Sequence, residues 1–236
     1  MDTARSILIG VLLASGAGSQ AALAQASAAA GPTAAPASAA GHGTSAVDVS
    51  GPGELIESAA NTMLAELDAH RAEYGKEPAK VQALVDRVLL PHFDVDRAAR
   101  LVLGRHWRTA SPEQRKRFID AFYKSLVATY GDALTEFTGD RIKVFPANVE
   151  AGGERATVRT EVRRDDGSRV PVNYSLQRTP EGWKAWDVTI EGISYVKSFR
   201  EDFGAEIDQK GLDAVIARLE QEARSGHARK PAAATR

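Results

Sequence analysis

The spacing of apolar positions divides the chain into two halves. Leu55, Ala59, Met63 and Leu67 form one stripe, and Val81, Leu84, Val85, Val88 and Leu89 form another, the spacing of helices with a single buried face. Pro91 closes the second. Asp94 is placed to cap a third helix, running through Ala98, Leu101 and Val102 to Gly104. A fourth opens on Ser111-Pro112-Glu113-Gln114, which joins an N-cap, a proline at the first helical position and a capping-box glutamine. Its face carries Phe118, Phe122, Leu126, Tyr130, Leu134 and Phe137, with Ile119, Tyr123 and Val127 alongside. That stripe is wider than one neighbouring helix covers.

From Ile142 the period changes to two. Ile142 and Val144, then Ala156, Val158, Thr160 and Val162, then Val170, Val172, Tyr174 and Leu176, then Trp186, Val188 and Ile190 alternate with charged or polar residues, so four strands each have one oily face. The links are Gly152-Gly153, Asp165-Asp166-Gly167-Ser168 and Thr179-Pro180-Glu181-Gly182, short turn chemistry that predicts an antiparallel meander. In "WKAWDVTIEGISYVKSFR" the last strand breaks at Gly192 and a helix begins near Ser194, followed by another through Leu212, Val215, Ile216 and Leu219. The pattern predicts an α+β fold: a four-stranded antiparallel, curved sheet covered on one face by helices.

The ends of the chain read differently. Residues 1–24 have Arg5 ahead of a short apolar run and Ala22-Leu23-Ala24 as an A-x-A cleavage site, a signal peptide for export. Residues 25–53 are mostly Ala, Gly, Ser, Pro and Thr, too poor in large side chains to offset the entropy of ordering, and read as a disordered leader. The folded domain is expected over residues 54–223 and a disordered tail over 224–236. An exported chain of 236 residues with no cysteine must hold its fold without disulfides, which suits a bacterial periplasm. A net charge of −1, from 30 basic and 31 acidic residues, gives no reason to expect nucleic acid.

Catalytic patterns are weak. The five histidines lack H-E-x-x-H spacing and cysteine companions, so neither metal nor cofactor is assigned. Gly192-Ile193-Ser194-Tyr195-Val196 lacks the final glycine of a nucleophile elbow, and Ser194 reads as an N-cap. The "HFDVD" run of His92 to Asp96 gathers nitrogen and oxygen groups, but a helix start favours acidic residues for its own reasons.

Three blocks carry a family resemblance: "FDVDRAARLVLGRHWRTASPEQRKRFIDAFYKSLVATYGDAL" (93–134), "PVNYSL" (171–176) and "GWKAWDVTIEGISYVKSFREDF" (182–203). Their order and spacing resemble the MlaC, or toluene-tolerance auxiliary, family of periplasmic phospholipid-binding proteins. The resemblance implies a carrier that shuttles diacyl phospholipid between an outer-membrane lipoprotein complex and an inner-membrane ABC transporter with a mammalian-cell-entry subunit, maintaining outer-membrane lipid asymmetry. It also implies a monomer, a fold akin to nuclear transport factor 2, and acyl chains held between sheet and helices. The candidate lipid contacts are Val144, Val158, Val162, Val172, Tyr174, Trp186, Val188 and Ile190 on the strands, with Phe122, Leu126 and Tyr130 on the facing helix. Each could equally close an ordinary core. Arg200 is a candidate for a lipid phosphate or, as the favoured reading, for an ion pair with Asp187 or Glu201. Two other functions stay open: a small-molecule isomerase or dehydratase on the same fold, which needs an acid beside a tyrosine, and a ligand-free envelope adaptor.

Overall fold

The computed structural model describes residues 47–74, 76–134, 142–163 and 166–225. The segments expected to be signal peptide, most of the leader and most of the tail lie outside them. Helix α1 spans Pro52–Tyr74, with non-helical backbone at His70, and is followed by α2 at Pro78–Val88 and a 3₁₀ turn at Leu90–His92. Helices α3 (Val95–Leu103), α4 (His106–Thr109) and α5 (Pro112–Leu134) complete the first half. Strands β1 (Ile142–Val144), β2 (Asn148–Val149), β3 (Arg155–Arg163), β4 (Arg169–Thr179), β5 (Gly182–Ile190) and β6 (Ile193–Ser194) precede helices α6 (Tyr195–Lys210) and α7 (Leu212–Ser225).

The helix starts follow from local chemistry. Asp94 accepts the Arg97 N–H at 2.9 Å and caps α3. At the head of α5, Ser111 Oγ accepts the Gln114 N–H at 3.1 Å while Gln114 Oε1 accepts the Ser111 N–H at 2.9 Å, which satisfies donors that a bare helix end would leave orphaned. Ser194 caps α6 by accepting the Lys197 N–H at 3.2 Å. The residues just ahead of position 54 also make defined contacts. The Asp48 N–H donates to Ser58 Oγ at 2.8 Å, and Val47 packs on two of the hydrophobic clusters.

The sheet is antiparallel and has six strands rather than four, in the order β1-β3-β4-β5-β6 with β2 also on β3. The two extra strands have two residues each, too short to show a period. Strict alternation also fails once. The β4–β5 register shifts between Ser175 and Leu176, so that Tyr174 pairs with Val188 but Leu176 pairs with Ala185. With Trp186 as the extra residue, Ala185 and Trp183 take the inward positions beyond Val188, Asp187 is buried on the opposite face, and Trp186, Val188 and Ile190 are half-buried.

Buried side chains form three separate clusters. The first is wholly helical, drawn from α3, α5, α6 and α7, and holds Phe118, Phe122, Phe199 and Phe203. Phe122 stacks on Phe118 at 5.6 Å and meets Phe199 edge-on at 5.2 Å, geometries that add to plain area burial. The second joins α1 to α2 through Met63, Leu67, Leu84 and Val88. The third seats Leu55 of α1 on Ala156, Val158, Leu176, Trp183 and Ala185 of the sheet.

Candidate functional site

Register places the inward side chains in rows across the sheet. Ala156, Leu176 and Ala185 make one row, and Val158, Tyr174 and Val188 the next. Beyond them come Val144, Thr160, Val172 and Ile190, then Ile142, Val162 and Val170. Protein fills the first row, since its members belong to the cluster under Leu55. The far rows differ. Val162, Val170, Val172 and Ile190 are members of none of the three clusters, although Val170 and Val172 are each only 6% exposed. Thr160, in the same region, donates its hydroxyl to the Val172 carbonyl at 3.1 Å, so its buried oxygen is satisfied and the row stays effectively apolar.

The candidate residues thus separate into groups. Val144, Val162, Val172, Tyr174, Val188 and Ile190 lie in the rows beyond the first, with Val144 and Tyr174 bordering the third cluster. Burial raises the Tyr174 hydroxyl above its ordinary pKa, against a smaller opposing effect of a hydrogen bond with Thr160. Val158 is fully buried within the third cluster. Phe122 sits inside the aromatic helical cluster, and half-buried Leu126 packs against it. Tyr130 falls within α5, and its side chain lies outside the described residues. Trp186 is covered by the Arg97 guanidinium, 5.0 Å above its ring. Buried Arg97 Nε and Trp186 Nε1 find no acceptor among the described residues.

Groups with catalytic potential are committed elsewhere. Asp187 is 5% exposed and accepts from Ser194 Oγ at 2.6 Å and from the Val196 N–H at 3.0 Å, so it anchors the first turn of α6 and pairs with neither Arg200 nor Tyr174. Across the sheet it stands opposite Ser175, on the face away from Tyr174. In "HFDVD", the Asp94 N–H donates to the Ala185 carbonyl at 2.7 Å and Asp94 accepts from Gln177, which ties the segment to β5 and β4. Burial, aided by the nearby Lys184 charge, lowers the His92 pKa. Among the described residues no group of three or more His, Cys, Asp or Glu could hold a metal ion, and no helix is long and apolar enough to cross a membrane.

Sequence alone did not separate the row under Leu55 from the rows beyond it. Parity identifies an inward side chain, but which inward positions Leu55 covers depends on where α1 crosses.

Comparison with known proteins bears on the same region. A solved phospholipid-binding protein from Ralstonia solanacearum, in complex with a phospholipid, superposes with a TM-score of 0.66 at 26% identity, over 72% of this chain and 96% of that one. The toluene tolerance protein ttg2D of Pseudomonas putida is 31% identical over 163 residues, 69% of this chain and 75% of that protein. The intermembrane phospholipid transport system binding protein MlaC of Haemophilus influenzae is 22% identical over 181 residues, 75% of this chain and 85% of that protein. The family model described as MlaC protein matches residues 57–221, nearly the whole folded region, and the chain belongs to the MlaC family.

Proposed function

We propose that this protein is a periplasmic phospholipid-binding transport component, a carrier and not an enzyme. The observation that supports it most directly is the likeness to a neighbour solved with phospholipid bound, spanning 96% of that protein. In this reading the acyl chains lie along the far rows of the sheet, against Val144, Val162, Val172, Tyr174, Val188 and Ile190, within a fold of the nuclear transport factor 2 type. The export signal over residues 1–24 delivers the chain to the periplasm. There it exchanges diacyl lipid with an outer-membrane lipoprotein complex and an inner-membrane ABC transporter bearing a mammalian-cell-entry subunit.

The energetics fit a carrier. Hiding two long chains from water requires on the order of 20 kcal/mol of apolar burial at about 0.8 kcal/mol per methylene. A bilayer offers similar surroundings, so the site must only match it, and direction comes from the donor and acceptor. Asp187 lies on the face away from Tyr174 and is engaged by Ser194 and Val196, which supports a carrier over an isomerase that needs an acid beside the tyrosine.

Mass spectrometry of the organic extract of gently purified protein tests the reading. About one diacyl phospholipid per chain is expected. Folded protein that stays lipid-free after incubation with vesicles of phosphatidylethanolamine and phosphatidylglycerol would contradict it.

A further inference from the structure

Away from the sheet, α3, α4 and α6 border a groove of about 400 Å³ into which Arg100, Arg105, Arg108 and Arg200 bring their side chains beside Trp107 and Gly104. Arg105 is paired with Asp208. The other three are exposed, and none takes part in an ion pair among the described residues. In a chain of net charge −1, three uncompensated guanidinium groups on one small groove are a local concentration and not an overall excess. Like charges held together in this way lower the cost of receiving carboxylates, which guanidinium groups bind in bidentate geometry.

Gly104 builds the floor. It ends α3 at φ 53° and ψ −117°, a combination that only glycine adopts easily. Its missing side chain lets Arg200 cross the main chain, since a Cβ there would stand 2.8 Å from Arg200 Nε. Trp107 also lines a second groove of about 580 Å³, where Leu90, Val95, Pro112 and Ile119 are joined by Asp96, Lys116, Asp120 and Tyr123. Arg115 holds the indole between the two, with its guanidinium 5.0 Å from the ring centroid and its Nε donating to the Trp107 carbonyl at 3.0 Å. A basic groove and a groove of mixed apolar and charged lining therefore share one wall.

We infer that this double groove is a docking site for an acidic, partly apolar segment of another protein, its carboxylates on Arg100, Arg108 and Arg200 and its apolar side chains beyond Trp107. The ends of this chain do not have that chemistry. Residues 25–46 contain no Asp or Glu, and residues 226–236 carry Arg229, Lys230 and Arg236 with no acid. The inference stands apart from the lipid site and survives or fails without it.

The test is a titration of the ¹⁵N-labelled full chain with the acetylated peptide Glu-Glu-Leu-Glu-Glu-Leu, and with the same peptide carrying Lys for Glu. The Gly104 amide and Trp107 indole signals should shift saturably with the acidic peptide alone. The apparent Kd should weaken about tenfold or more between 25 and 250 mM NaCl, and to a similar degree in Arg100→Gln/Arg200→Gln. Those positions are exposed, so thermal unfolding of the variant should match the parent and exclude misfolding as the cause. Any of four results overturns the inference: no shift at 5 mM peptide, an equal response to the Lys peptide, indifference to the arginine substitutions, or phosphatidylglycerol vesicles engaging the same arginines while the peptide does not. Concentration-dependent dimerisation that occupies Trp107 would assign the groove to a second copy and overturn it as well.

Discussion

Replacing Val172 and Val158 separately by tryptophan distinguishes a wall of the lipid site from packed core. The two valines share a face of the sheet and lie on adjacent strands, yet their surroundings differ. Val158 is 0% exposed and enclosed by Leu55, Ala156, Leu176, Trp183 and Ala185. An indole there overpacks the cluster by about 3 kcal/mol, and at roughly 2–4 °C per kcal/mol for a domain of this size the melting temperature should fall by about 6–12 °C. Val172 belongs to no cluster and neighbours Thr160 and Ile190 across the strands. Its indole would occupy the space of about four lipid methylenes, so binding should weaken by about 3 kcal/mol, more than a hundredfold, with little change in unfolding temperature. Differential scanning fluorimetry and phospholipid mass spectrometry on the same preparations read both quantities. If Val172→Trp melts as early as Val158→Trp while the surviving folded protein keeps its lipid, the far rows are core and the lipid lies elsewhere.

Three further outcomes follow from the geometry. Asp187→Ala strands Ser194 Oγ and the Val196 N–H inside the protein and should cost about 3 kcal/mol in urea unfolding, with Asp187→Asn losing about half as much; an effect under about 0.5 kcal/mol for the alanine variant would remove Asp187 as the anchor of α6. Arg218 joins α6 to α7 through two bonds to Glu206, at 3.0 and 2.8 Å, and one to Glu222 at 2.7 Å, so Arg218→Ala should destabilise by about 2–3 kcal/mol, and an unchanged urea midpoint would refute this. Because the folded-state pKa of His92 is lowered by burial and then by Lys184, the unfolded chain takes up this proton first as pH falls below 6.5. The stability contribution is therefore intact above that pH and lost on descending through the folded-state pKa. His92→Gln should flatten this part of the urea-midpoint profile between pH 7.5 and 5, and a profile identical to the parent would exclude the residue.

Much of the fold was legible because caps and turns are local. Ser111 with Gln114, Asp94 and Ser194 specify helix starts from neighbouring residues alone, and all three make the expected bonds. What escaped depends on contacts distant in sequence. The amphipathic stripe of α5 identifies Phe122 as inward but not its partner, which proved to be Phe199 and Phe203 of α6 rather than a strand. Alternation cannot announce the register shift at Ser175 and Leu176, since one extra residue leaves the letters alternating while the pairing changes. Val149 and Ile193, in strands of two residues, stay largely exposed and give no apolar signal. The arginine groove was equally hidden, because Arg100 and Arg200 meet only through the crossing of α3 and α6 over Gly104.

The partition of the interior has a mechanical consequence. A protein with one continuous core resists opening everywhere at once, whereas here the aromatic helical cluster shares no buried member with the clusters beneath α1 and meets the sheet cluster through half-buried Phe93. Leu55 is the only α1 side chain among the buried members of the sheet cluster. Parting α1 from the sheet would break that seam and leave the Phe118–Phe122–Phe199–Phe203 nest closed. Amide hydrogen exchange should then show two tiers, with α1 and its facing strand edge opening sub-globally and α5 to α7 exchanging only through global unfolding. Two-tier exchange of that kind would mean that contacts of α1 with the sheet are made and broken independently of the aromatic nest.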